Sequence, residues 1–143
     1  MLTTADKQSC LQSCALFSGL ESGTLAVLAE ALEEEQYGKG EEVWLQGEEA
    51  DRVYVVFRGT IGIFLTGVPT PVRSLGRGDI VGEYGLFSGT RTATVKAEDE
   101  AVLLSIDYPR FKRFLFQYPA AMYGLLGTAV HRLAEAEARL RRK

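Results

Sequence analysis

Between Gln36 and Ile106 the apolar segments are short, and glycine-containing turns separate them. Tyr37-Gly38-Lys39-Gly40, Gln46-Gly47-Glu48, Arg58-Gly59 and Gly76-Arg77-Gly78-Asp79 punctuate the chain there. The intervening segments, residues 42–45, 53–57, 60–66, 72–75, 92–97 and 101–106, carry β-branched and aromatic residues that fit a pleated surface. Turns at roughly eight- to twelve-residue spacing point to an antiparallel sandwich or jelly-roll barrel. Val53–Phe57 is a continuous apolar run suited to a buried strand, and Arg58-Gly59 predicts a tight hairpin with residues 60–66 as its partner. Gly67-Val68-Pro69-Thr70-Pro71 is a loop, because proline cannot donate to a ladder.

On either side the period becomes helical. Residues 1–15 read as a short helix with Asp6 as its N-cap, broken at Ser18-Gly19. Residues 21–33 place Leu25, Leu28, Ala29 and Leu32 on one helical face, with Glu33, Glu34 and Glu35 as the solvated end of that helix. Asp107 is placed to cap a helix through Tyr118, with Pro109 tolerated in its first turn. Pro119 opens another helix running nearly to Lys143. Met122, Leu126, Ala129, Leu133, Ala136 and Leu140 follow along it at alternating steps of four and three. That pattern fits a coiled-coil seam between two copies, or a face laid on the chain's own barrel. The expected fold is therefore α+β, mainly β. Residues 1–35 form N-terminal helices, 36–106 an antiparallel jelly-roll β-barrel, and 107–143 a C-terminal helix pair. At 143 residues this is one domain.

The chemistry gathers in residues 78–97, GDIVGEYGLFSGTRTATVKA. Gly82, Gly85 and Gly89 let backbone amides approach a ligand closely. A helix start after such a loop attracts phosphate. Arg91 offers a planar fork of donors to two phosphate oxygens, and Glu83 can accept from sugar hydroxyls. Together these are the parts needed to hold a phosphorylated sugar.

This segment resembles the phosphate-binding cassette of cyclic nucleotide-binding domains, in which a Gly-Glu pair and a short turn of helix precede Arg and then Ser, Thr or Ala. The resemblance extends over nearly the whole chain. Leu16-Phe17-Ser18-Gly19-Leu20 is similar to the family's entry helix, Gly59-Thr60 to its central hairpin, and residues 107–119 to its second helix. It implies a regulatory module that binds cAMP or cGMP, with no catalytic residue and no metal. By resemblance, Gly82 gives a backbone amide, Glu83 meets the ribose 2′-hydroxyl, Arg91 meets the cyclic phosphate, and Thr92 stands near phosphate or base. Tyr84, Gly85 and Ala93 complete the cassette's ligand-binding set. Many members carry Pro before the Arg and a turn at least one residue longer. Here Thr90 precedes Arg91, which implies a clipped cassette helix and an altered phosphate grip. Residues 90–96 are similar to the cassette end of cGMP-dependent kinases, while bacterial cAMP sites also use Ser or Thr after the Arg; cAMP is slightly favoured. From the last helix, Arg132, Glu135 and Arg139 are the polar residues placed to cover a base, Arg132 first among them. In the family this helix is both the lid and the dimer seam, so occupancy would be transmitted through it and a homodimer would form along residues 119–142.

Other functions are disfavoured. A formal net charge of −3 argues against direct nucleic-acid binding. No apolar run approaches the roughly 20 residues of a membrane span. The N-terminus carries no secretory pattern, and Cys10 and Cys14, poorly placed for a disulfide, fit a reducing, cytoplasmic setting. A metal enzyme on a jelly-roll scaffold needs several histidines, and His131 is the only one. A cyclic nucleotide fold that has lost its ligand and serves as a dimerisation or docking module is the alternative. The bacterial regulators' helix-turn-helix is not in the sequence, so the expectation is a stand-alone module or an effector domain of a longer chain.

Overall fold

The computed structural model describes residues 1–141. Helix α1 (Thr4–Ser13) starts with a reciprocal box, in which the Asp6 amide donates to the Thr3 hydroxyl and the Thr3 amide donates to the Asp6 carboxylate. Two otherwise unpaired amides are satisfied at once. Thr3, not Asp6, is therefore the N-cap, and Asp6 is its partner three residues on. The expected entry helix at 16–20 is instead a set of tight turns, with Phe17 N–H on the Cys14 carbonyl and Leu20 N–H on that of Phe17. Helix α2 (Ser22–Ala31) buries Leu25, Leu28 and Ala29 as their spacing predicts.

The three glutamates do not end that helix. They belong to strand β1 (Glu33–Tyr37), which pairs antiparallel with β8 (Ala101–Asp107), Glu33 opposite Ser105 and Tyr37 opposite Ala101. The barrel thus begins at residue 33 rather than 36. Partners from distant elements hold the carboxylates. Glu35 accepts from Ser105 and Tyr37, and Glu33 pairs with Arg52 and with Arg110 at 3.1 Å each.

Between them lie β2 (Glu42–Trp44), β3 (Arg52–Arg58), β4 (Ile61–Phe64), β5 (Arg73–Leu75), β6 (Ile80–Val81), the short helix α3 (Gly85–Ser88) and β7 (Thr94–Ala97). Two four-stranded antiparallel sheets result, in the orders β1-β8-β3-β6 and β2-β7-β4-β5. This interleaving is that of a jelly roll. It also overturns the hairpin at Arg58-Gly59, because β3 and β4 lie in different sheets and the turn carries the chain from one to the other. Gly59 is obligatory there: its φ is 83°, and a Cβ would stand 2.3 Å from the Glu100 carbonyl oxygen.

Strand β3 is apolar without alternation because both of its faces are covered. Val53, Val55 and Phe57 pack against the helices, whereas Tyr54 and Val56 point into the barrel. Helix α4 (Tyr108–Gln117) adds Tyr108, Phe111, Phe114 and Leu115 to the helical layer. Asp107 holds the N-cap position without a capping bond; its carboxylate accepts instead from Arg110 Nε at 2.5 Å. Helix α5 (Pro119–Arg141) buries only Ala121 and Leu125. Gly124 brings it so close to the turn after α1 that a Cβ would meet the Leu16 carbonyl oxygen at 2.7 Å. Met122, Leu126, Ala129, Leu133 and Leu140 are exposed, so most of the seam is not packed on the barrel; Ala136 is half-buried and faces it. Arg142 and Lys143, the end of the expected helix, lie outside the described residues.

Cys10 and Cys14 are free and buried. Burial pushes the Cys14 thiol up to about 11. Among the described residues no helix is long and apolar enough to cross a membrane.

Candidate ligand-binding site

Strand β6 delivers the chain to Gly82, whose φ of 93° turns it sharply into Glu83 and Tyr84. Helix α3 has only four residues, and Gly89 ends it in the left-handed region at φ 78°. The returning segment is tied to the loop before β3. Arg91 N–H donates to the Glu48 carbonyl and Gly47 N–H to the Arg91 carbonyl, each at 2.8 Å, while Ala50 N–H donates to that of Gly89 at 3.0 Å.

These turns wall a cavity of about 530 Å³ that also takes Trp44 from β2, Arg73 from β5, and Arg132, Glu135 and Arg139 from α5. That volume lies in the range of small-molecule sites. Gly82, Glu83, Tyr84, Gly85, Arg91, Thr92, Ala93 and Arg132 all line it. Tyr84 and Thr92 are exposed at its mouth, whereas Glu83 and Arg91 are only 8% and 5% exposed.

The two buried charges are held differently. Glu83 is paired with Arg132, whose Nη2 also donates to the Ile80 carbonyl at 3.3 Å. Arg132 therefore sits on the cassette carboxylate rather than standing free over the space for a base. Burial and the neighbouring Arg73 charge lower the Arg132 guanidinium from its ordinary range.

Arg91 lies 3.8 Å above the Trp44 ring centroid. Its Nη1 donates to the Tyr108 hydroxyl at 3.0 Å and reaches the Gly82 carbonyl at 3.4 Å, and its Nη2 donates to the Arg52 carbonyl at 3.0 Å. The one carboxylate near it, Asp51, is 3.7 Å away and largely in water. A pair with so exposed a partner contributes at most about 1 kcal/mol. Neutral dipoles and an aromatic face thus fix a buried cation whose charge is left nearly uncompensated. Such a guanidinium can take an anionic partner. Among the described residues no group of three or more His, Cys, Asp or Glu could hold a metal ion.

Trp44, Asp51 and Tyr108 were not legible as site residues. They reach Arg91 from β2, from the loop before β3 and from the start of α4, far apart along the chain and in no motif. The available hints are that Trp44 is the sole tryptophan and that Tyr108 opens a helix directly after the last strand.

A jelly roll whose glycine-bounded loop holds a buried arginine beside a cavity, with residues of α5 along the same cavity, has the make-up of a small-molecule-binding domain. The chain belongs to the cyclic nucleotide-binding domain family, whose description, "Cyclic nucleotide-binding domain", matches residues 34–118, more than half of the chain. It is similar to the cAMP-dependent protein kinase regulatory subunit of Eremothecium gossypii, 35% identical over 101 residues, covering 70% of this chain and 22% of that protein. Among solved structures it is similar to the regulatory domain of Toxoplasma gondii PKA with cAMP, at a TM-score of 0.77 and 25% identity, covering 90% of this chain and 50% of that one. The fold is shared with the catabolite activator protein of Thermus thermophilus, at a TM-score of 0.82 and 24% identity, covering 89% and 62%. The chain spans about a quarter of the length of the curated relatives it matches.

Proposed function

We propose that this domain is a non-enzymatic regulatory module, acting in the cytoplasm, that binds a cyclic nucleotide, cAMP slightly ahead of cGMP, and transmits occupancy through α5. The observation that carries this reading is Arg91, a buried guanidinium in a cavity wall with no close buried carboxylate against it. The cyclic phosphate would supply the missing charge, and Glu83 would accept from the ribose 2′-hydroxyl, sharing its carboxylate with Arg132. The pairing of Arg132 with Glu83 couples the lid helix to the cassette, so a ligand entering between them acts on α5 directly. The relatives' names, kinase regulatory subunits, support a module serving an effector in a longer chain.

A second reading keeps the fold without the ligand, as a dimerisation or docking module. It draws on the same pair: Glu83 already has a partner from within the protein. Calorimetric titration with cAMP, cGMP and a linear 5′-monophosphate separates the two. Cyclic nucleotide should bind one per chain, well ahead of the linear one. Arg91→Ala should weaken cAMP by roughly tenfold to a few hundredfold, since a charge-assisted hydrogen bond contributes about 1.5–3 kcal/mol. Heat-silent titrations and an unmoved thermal midpoint at millimolar nucleotide would favour the docking module.

A further inference from the structure

Tyr108 is the first residue of α4, yet its hydroxyl reaches the floor of the cassette. It donates to the Gly82 carbonyl at 2.6 Å and accepts from Arg91 Nη1 at 3.0 Å. One buried hydroxyl thereby ties the glycine at the cassette's sharp turn to the arginine that closes it. The fit is close enough to dictate a neighbour. A Cβ at Gly85 would stand 2.3 Å from this oxygen and 2.4 Å from Ala50 Cβ, so glycine is required there for packing as well as for ligand approach.

The consequence for Arg91 follows from counting its protons. Nη1 carries two, within reach of the Tyr108 hydroxyl and the Gly82 carbonyl; Nη2 carries two, of which the Arg52 carbonyl accepts one, and the solvated Asp51, 3.7 Å away, is beyond hydrogen-bond distance. Nε makes no hydrogen bond among the described residues. The edge of the guanidinium with donors to give is therefore Nε–Nη2, and the edge containing Nη1 is closed by the protein. Resting on the reading of the cavity as a cyclic nucleotide site, we propose that Tyr108 is a positioning residue that saturates Nη1 and presents the Nε–Nη2 edge of Arg91 to the phosphate. The Trp44 ring holds the plane of the guanidinium, and Tyr108 sets its rotation within that plane.

The two exocyclic oxygens of a cyclic phosphate are stereochemically distinct, so a fixed edge should grip one more tightly than the other. The test measures calorimetric affinities for cAMP and for its two phosphorothioate diastereomers, in which sulfur replaces one or the other of these oxygens. The native protein should prefer one diastereomer. Tyr108→Phe keeps the ring and removes the hydroxyl. It should weaken cAMP by roughly two- to tenfold, one hydrogen bond's worth, and shift the diastereomer ratio by about threefold or more as Nη1 is released. A merely structural role would lower all three affinities by one factor; that outcome, or no change at all, overturns the proposal. Arg91→Lys, with a single ammonium and no edge to set, should lose the preference independently of how the Phe variant folds, and a preference that persists in it overturns the proposal as well. Native protein that binds none of the three ligands removes the site reading and this inference together. Native protein that binds them with an unmoved ratio in Tyr108→Phe removes the inference alone.

Discussion

Arg91 and Glu83 show how far single residues could be read. Both stand in one contiguous stretch of glycines, a carboxylate and an arginine, so their types and spacing were visible without a fold. What surrounds them was not. Trp44 under the guanidinium, Tyr108 beside it and Arg132 on the carboxylate arrive only when strands and helices far apart in sequence close together. The pairing of Glu83 with Arg132 leads to a sharp expectation for the sugar. A ribose 2′-hydroxyl donating to this carboxylate makes a charge-assisted contact in a mostly buried place. The 2′-deoxy form of cAMP should bind the native protein about tenfold or more weakly than cAMP. In Glu83→Ala the two nucleotides should bind about equally. If the deoxy form loses as much in that variant as in the native protein, Glu83 does not read the sugar.

At the level of elements, the helices with a clear apolar period and the longer strands were legible, and the failures share a cause. Strand β1 hid because Glu33, Glu34 and Glu35 give no alternation. Their reason for being in a sheet is a set of partners, Ser105, Arg52 and Arg110, from remote segments. Strand β6 hid because two residues make no pattern, and the Arg58-Gly59 turn, which by its residues predicts a β3–β4 hairpin, sends the two strands to different sheets. Helix α5 offers the cleanest test of packing between elements, since it holds two glycines in opposite circumstances. A Cβ at Gly124 would press on the Leu16 carbonyl, whereas one at Gly127 would meet nothing within 4 Å. Gly124→Val should therefore cost about 1–3 kcal/mol by forcing α5 off the turn. Gly127→Ala should gain up to about 1 kcal/mol through helix propensity alone. Urea unfolding of the two variants measures both, and equal shifts would mean that α5 does not rest on that turn.

For the whole molecule, the outward side of α5 is an apolar surface that one chain leaves uncovered. Met122, Leu126, Leu133 and Leu140 are exposed along it at coiled-coil steps. The expectation is a homodimer along this seam, weak because Ala129 and Ala136 bury little area. Sedimentation at rising concentration should show the native protein dimerising and Leu133→Glu remaining monomeric; a native protein that stays monomeric at high micromolar concentration defeats the proposal. The interleaved strand order has a further consequence, for how the chain comes to be folded. Glu35 and Ser105, joined by a side-chain hydrogen bond between β1 and β8, are 70 residues apart in sequence. On a ribosome β1 would wait as an unpaired edge until β8 had emerged, and no early fragment could close either face of the sheet. Folding of such a chain is governed by late closure of distant segments and is slow for its size. The nascent chain's exposure to aggregation therefore ends only when its last strand arrives.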